Sequence, residues 1–247
     1  MASKRARSER SALLRAARKY AALGFSVLPV AARSKFPDAK ALRHSGNLNW
    51  LGQPSWLAFT RSPAGENELR CWFSAGRRNL GIVTGFGDLI ALDFDAPGSY
   101  ESWRAKHRRI VEHTCVQRTR NGFHVLFRWK GAHRTQISIS HDFVLIRDPQ
   151  VRVGQIKGAS DYIVVWPSIH PSGSEYRWLR GRAPWEMRIL RIRDLREIGI
   201  EQYRKTWWKY VAMIPRMFSS SGKRPPMIIR WFKNRFAKLT GMYFQYR

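Results

Sequence analysis

The sequence predicts an α+β fold, with helices packed on a mixed or mostly antiparallel sheet. Three observations predict it. Apolar residues make up 44% of the 247 residues, enough to bury a core. Short apolar runs bounded by Gly, Pro and Asn outnumber the stretches with helical spacing, and the helices are interspersed among them. Two turn signals, Gly85-Phe86-Gly87-Asp88 and Asn121-Gly122, sit between apolar runs and read as hairpins.

Residues 1–10 are polar and basic (Lys4, Arg5, Arg7, Arg10) and are expected to form a disordered arm. From Ser11, the residues Leu13, Leu14, Ala17, Ala21 and Leu23 recur at helical spacing, and Gly24 is the stop. Residues 25–30 read as a strand ended by Pro29, and residues 31–55 as a loop. Residues 66–73 form a second helix, closed near Gly76. Residues 80–84 and 89–95 are apolar strands joined by the first turn. Residues 99–112 are helical, with Trp103, Ile110 and Val111 on the apolar side. Residues 114–119 and 123–129 form a hairpin about Asn121-Gly122, and strands at 143–146, 151–157 and 162–166 complete this half.

After Trp178 the character changes. From Glu201 onward the chain carries eleven Lys/Arg and one acid, Glu201 itself. Aromatics such as Trp207, Trp208, Trp231 and Phe232 are interleaved with them, in a pattern of two helices broken near 219–226. Such aromatics either stack on single-stranded bases or form the buried stripe of helices whose cationic face tracks phosphates. A helix lying on a membrane surface fits the same composition. The expected organisation is a basic arm (1–10), an α+β domain (11–185) and a basic aromatic helical extension (186–247).

Charge narrows the partners. Forty-five Lys and Arg stand against 17 Asp and Glu, a formal net charge of +28. That much self-repulsion points to a polyanion, with nucleic acid the leading candidate because neutralising phosphates releases counterions. Cys71 and Cys115 are too few for a disulfide framework or a zinc set, and fit a reducing cytosol. No run of about 18 apolar residues exists, so no membrane-spanning helix is expected. No apolar stretch follows the basic start, so no secretory signal is expected.

The chemistry begins at Leu92-Asp93-Phe94-Asp95. Alternation along a strand sends both carboxylates to one face and Leu92 and Phe94 to the other. Two carboxylates about 7 Å apart repel, and a divalent cation neutralises them. Hard oxygen donors suit Mg2+ or Mn2+. Solvated acids at a strand end are the alternative for the pair taken alone. His124 opens a strand after the Asn-Gly turn, where it donates to a triphosphate or sits satisfied in the sheet. Gly154-Gln155-Ile156-Lys157-Gly158 and Pro167-Ser168-Ile169-His170-Pro171-Ser172-Gly173 follow, the second a turn with exposed hydroxyls and an imidazole.

Taken in order, these blocks resemble the bifunctional primase–polymerase family of the archaeo-eukaryotic primase superfamily. Gly24-Phe25-Ser26-Val27-Leu28-Pro29, Lys35-Phe36-Pro37, Trp72-Phe73, Asn79-Leu80-Gly81-Ile82-Val83-Thr84-Gly85 and Tyr176-Arg177-Trp178 belong to the same pattern. The likeness covers about residues 11–180. It implies an RNA-recognition-like sheet that binds a DNA template strand and nucleoside triphosphates. It implies a metal-dependent nucleotidyl transfer with Mg2+ or Mn2+, in which a 3′-hydroxyl or a first nucleotide is joined to the incoming α-phosphate and pyrophosphate leaves. Asp93 and Asp95 match the first acidic motif, and His124 the histidine at the incoming phosphates. Lys157, Ser168, His170 and Lys35 stand as further nucleotide contacts. Gln155 stands where the family usually has a third acid. Asp148 or Asp161 substitutes for it under another register. An amide coordinates through its oxygen but adds no charge.

Three functions follow. The first is a replication nucleotidyltransferase, a DNA primase and/or polymerase, in the cytoplasm or a plasmid or viral replication complex. The second is a weakened or non-catalytic primase-like module that binds DNA. The third is a basic RNA-binding protein of chance similarity. No Gly-x-x-x-x-Gly-Lys-Ser/Thr loop exists, so if the domain works with a helicase, that partner lies on a separate chain.

Overall fold

The structure, a computed structural model, describes residues 2–74, 78–132, 142–146 and 148–202. Helix α1 (Ala2–Ala22) begins inside the stretch expected to be a disordered arm. It buries Leu13, Ala16, Ala17 and Tyr20 at three- and four-residue spacing. Gly24, with φ +79°, stops it as the sequence indicates. Strand β1 (Val27–Ala31) runs through Pro29 instead of ending there. It is an edge strand paired only with β2 (Arg78–Thr84), and a proline is tolerated where no ladder N–H is needed.

The expected loop 31–55 contains α2 (Ala39–His44). The Asp38 carboxylate caps it by accepting the Ala41 N–H at 3.0 Å. Helix α3 (Glu66–Phe73) lies where the periodicity puts it and buries Trp72 and Phe73. The helix expected over 99–112 breaks at His107 into α4 (Ser99–Lys106) and α5 (Arg108–Val111).

The turn at Gly85-Phe86-Gly87-Asp88 is not a hairpin. Strand β2 joins one sheet, and β3 (Leu89–Phe94) joins another. Gly85 (φ +81°) and Asp88 (φ +62°) occupy left-handed backbone, and the Gly85 N–H donates to the Leu89 carbonyl at 2.6 Å. That geometry swings the chain between sheets without pairing its flanks. The Asn121-Gly122 turn does make a hairpin, of β4 (Val116–Arg118) and β5 (Phe123–Trp129).

The remaining strands are β6 (Asp142–Leu145), β7 (Asp148–Lys157), β8 (Asp161–Val165), β9 (Arg177–Trp178), β10 (Arg191–Ile192) and β11 (Ile200–Gln202). The small sheet has the order β1-β2-β8, and the eight-stranded sheet β11-β6-β7-β3-β5-β4-β9 with β10 beside β5. Only the β10–β5 pairing is parallel among the described strands. Residues 186–202, expected to open the extension, instead add β10 and β11 to the large sheet. The chain divides between Arg204 and Lys205. The expected basic aromatic helices lie outside the described residues from 203 onward.

Two cores flank the large sheet. Ile90, Leu92 and Phe94 of β3 face one, packed with Trp103, Val125 and Phe127. Leu89 and Ala91 face the other, with Leu126, α1, α3 and the small sheet. Alternation along β3 therefore holds, and Asp93 falls on the face toward the small sheet. Among the described residues, no helix is long and apolar enough to cross a membrane.

Candidate active site

Asp93 sits on the central strand with a polar residue in register on each side. Its Cα partners are His124 on β5 and Gln155 on β7. The row continues to Gln117 on β4 and to Asp142 on β6. Directly paired residues share a face, so Asp142, Gln155, Asp93, His124 and Gln117 form one polar line across the sheet. The β3–β7 pairing puts the Gln155 amide directly opposite Asp93. Asp161 pairs with Lys157 at 3.3 Å and accepts the Tyr162 N–H at 2.8 Å. The Asp148 side chain lies outside the described residues.

Two glycines let the strands close around β3. A Cβ on Gly154 would lie 2.1 Å from the Asp93 carbonyl oxygen, and one on Gly122 would lie 1.9 Å from that of Phe94. Only residues without a side chain fit there.

At one end, Gln117 is fully buried and His124 is 6% exposed. The Gln117 amide oxygen accepts the Trp166 N–H at 2.9 Å, and its NH2 donates to the Val164 carbonyl at 3.0 Å. Those two backbone anchors forbid a flipped amide. The same NH2 lies 3.1 Å from His124 Nδ1, which is therefore the acceptor. The ring proton then sits on Nε2, 3.5 Å from Asp93 Oδ1. Burial pushes the Asp93 carboxyl up, but the His124 ring, then Lys157 and Lys35, outweigh it and hold it below the ordinary carboxylate range.

At the other end, Asp95 lies just past β3. Both of its oxygens accept from the Arg152 guanidinium at 2.8 Å, and Arg152 Nε donates to Asp142 at 2.8 Å. The hydrogen bond to Asp95 first, and that to Asp142, raise the Arg152 pKa against a smaller opposing effect of burial. Simple alternation would put Arg152 and Gln155 on opposite faces. A register shift opposite Phe143/Val144 breaks the alternation, so Val153 and Ile156 both face the apolar core. The bulge thereby turns Arg152 toward the carboxylates.

The other sequence-chosen residues gather unevenly. Lys157 pairs across to Ala91 on the face of Asp93, and the Lys35 charge is felt at both Asp93 and His170. His170 Nδ1 accepts the Ser172 N–H at 3.1 Å, and burial first, then Lys35 and Arg120, lower its pKa. Tyr176 lies between the two imidazoles, with ring centroids 6.2 Å from His124 and 6.1 Å from His170. Ser168 is buried, and its hydroxyl is engaged by the Leu80 N–H at 2.8 Å and the Leu80 carbonyl at 3.2 Å. It anchors the loop to β2. Gln117, Asp142 and Arg152 escaped the sequence reading. A buried amide has no periodic signature, and the bulge that aims Arg152 is invisible in a strand pattern.

The profile of the bifunctional DNA primase/polymerase N-terminal domain (Prim-Pol) matches residues 17–195. The chain belongs to that family. No curated protein matches it. The Prim-Pol match covers the whole polar row and both lysines. Membership supports DNA primase/polymerase nucleotidyl transfer as the class of activity, a class that generally uses divalent metals.

Asp93, Asp95 and Gln155 offer hard oxygens, the right chemistry for Mg2+ or Mn2+. Among the described residues, no three His, Cys, Asp or Glu are grouped to hold an ion. The set is two carboxylates and an amide, and Asp95 is shared with Arg152. A cation bound by these oxygens would compete with that guanidinium for Asp95.

Proposed function

We propose that this Prim-Pol chain is a template-dependent nucleotidyltransferase, a DNA primase and/or polymerase. The observation that carries the reading is Asp93 held in register between Gln155 and His124, in a chain of this family. In this reading the large sheet is an RNA-recognition-like platform for a single-stranded template. Asp93, Asp95 and Gln155 would hold Mg2+ or Mn2+. When bound, the ion offsets negative charge on the triphosphate and on the oxygen that attacks it. His124 directs its Nε2–H toward the incoming phosphates, fixed by Gln117. Lys35 and Lys157 supply positive charge beside Asp93, and His170 extends the donor set from the loop anchored by Ser168. A helicase would act from another chain, and a replication complex is the natural setting.

The test is synthesis on a single-stranded template with all nucleotides and Mg2+ or Mn2+, with and without primer. The parent is expected to give product, and Asp93→Ala/Asp95→Ala none, with DNA binding retained. Product from the double variant would refute the metal assignment. The primer-free lane separates initiation from extension.

A second reading, a non-catalytic DNA-binding module, is favoured by Gln155 and by the hold of Arg152 on Asp95. Under it the parent is inactive, and Gln155→Glu raises Mn2+ affinity.

A further inference from the structure

Exposed apolar side chains are not spread evenly over this protein. Nine large ones are exposed among the described residues, and five of them fall between 36 and 57: Phe36, Leu48, Trp50, Leu51 and Leu57. Trp50 is 90% exposed and Phe36 is 76% exposed. Such a concentration in one stretch, with an indole almost wholly in water, singles that stretch out as a place for a partner.

The local backbone holds Trp50 out on a firm turn. Leu48 bridges Pro54, the Asn49 N–H donates to the Gln53 carbonyl at 2.8 Å, and the Asn49 side chain accepts from Leu51 and Gln53 at 2.9 Å. The turn is fastened below, where the Ser55 N–H donates to the Asn47 carbonyl at 2.9 Å and Asn47 donates to Glu68 at 3.0 Å. Little further ordering is needed for the indole to receive a flat partner.

The stretch itself is cationic. Residues 31–61 contain five Lys/Arg (Arg33, Lys35, Lys40, Arg43, Arg61), all exposed, and one acid, Asp38. Asp38 is already paired with Arg78 at 2.8 Å. The patch also borders the site. Trp56 packs edge-on against Tyr162 at 5.1 Å, Tyr162 donates its hydroxyl proton to the Lys35 carbonyl at 2.8 Å, and the charge of Lys35 acts on Asp93.

We infer that this 36–57 surface is a binding platform for single-stranded DNA, with Trp50 and Phe36 stacking on bases and the surrounding cations tracking phosphates. Exposed rings interleaved with positive charge are the combination that single strands require, because every base offers a π-face and every linkage a charge. The inference rests on the polymerase reading for its choice of DNA, and it gives the template a route to Asp93.

Anisotropy titrations of the full chain with a labelled single-stranded oligonucleotide and the matching duplex test it. Trp50→Ala is expected to weaken single-strand binding about tenfold, within the range for loss of one stacked base, and to leave duplex binding nearly unchanged. Trp50→Phe should recover most of the loss. Trp50→Ala should keep the salt slope, whereas Lys40→Ala/Arg43→Ala should flatten it by about 0.7 per charge removed. Trp50 is so exposed that neither variant should move the melting temperature. Equal single-strand affinity for the parent and Trp50→Ala would overturn the platform. So would loss of binding to phosphatidylserine vesicles in Trp50→Ala with DNA binding intact, which would make the surface a membrane one. Synthesis is scored separately. Lost synthesis in Asp93→Ala/Asp95→Ala with an unaltered Trp50 effect keeps the two ideas distinguishable.

Discussion

At the His124 end of the polar row, Gln117 and His124 are buried and joined to two backbone groups through one amide. At the Asp95 end, Arg152 and Asp95 leave 36% and 39% of their side chains in water and are joined by charge. The same β3 strand serves both ends. The buried end has a single arrangement, because every alternative leaves an unsatisfied polar group, at about 1–3 kcal/mol apiece. The open end has an exchangeable one. A simple exposed ion pair is worth at most about 1 kcal/mol; this one is bidentate and shared with Asp142, so its hold is larger, and a cation that displaced the guanidinium would have to offset it. The difference separates geometry set by buried hydrogen bonds from geometry set by charge in contact with water.

The largest expected effect removes the comparison altogether. Gly154→Ala would drive a Cβ into the Asp93 carbonyl, with Phe143 only 2.7 Å away. Overpacking of this kind costs about 3 kcal/mol, or roughly 10 °C in melting temperature for a domain of this size. Both ends should fail together, and an unchanged melting curve would mean that β7 does not press on β3.

Next comes the buried end alone. Gln117→Leu strips partners from the Trp166 N–H, the Val164 carbonyl and His124 Nδ1, and should destabilise the fold by about 2 kcal/mol. Stability alone would not distinguish a positioning role, so the ring itself is the readout. In the parent, 15N spectra of His124 should report the Nε2–H form. Gln117→Glu keeps an acceptor for Trp166 but loses the donor to the ring, and should move the proton to Nδ1. A spectrum unchanged by Gln117→Glu would exclude Gln117 as the residue that sets the tautomer.

Legibility in the sequence follows the same division. Helix α3, the Asn121-Gly122 hairpin and the two faces of β3 were readable because each rests on local periodicity or turn chemistry. The β3–β7 pairing that puts Gln155 opposite Asp93 joins strands far apart in the chain and has no local signature. Helix α2 was hidden by its short length, although Asp38 is an N-cap in plain sight. The Gly85–Asp88 turn misled because a hairpin signal reports a reversal, not which sheet the chain enters. Gln117 and Arg152 were unreadable because their roles come from contacts across 49 and 57 residues. The bulge that aims Arg152 comes from pairing with β6, which no local pattern encodes.

A smaller effect sharpens the open end. Arg152→Gln should release Asp95 and Asp142 and tighten Mn2+ binding about two- to fivefold, as read by titration of the free-ion electron paramagnetic resonance signal. Affinity that is unchanged or weaker would mean that the guanidinium does not compete with the ion.

The smallest effect concerns Asp93, which lies between the two ends. Its folded pKa is depressed, since the His124 ring, Lys157 and Lys35 outweigh a burial effect of opposite sign. A depressed carboxyl contributes stability that is complete above its unfolded pKa of about 3.9 and is lost as pH falls through the lower folded value. Lys157→Gln removes one of the cations and also releases Asp161, which faces it at 3.3 Å. The titration of Asp93, followed by carboxyl 13C shifts, should then move toward higher pH, and the acid limb of the stability curve should start earlier. Arg152→Gln should leave that titration nearly still, because Arg152 is bonded to Asp95 and Asp142. If Arg152→Gln moved Asp93 as far as Lys157→Gln does, the two ends would share one electrostatic field, and the division between a fixed end and an exchangeable end would collapse.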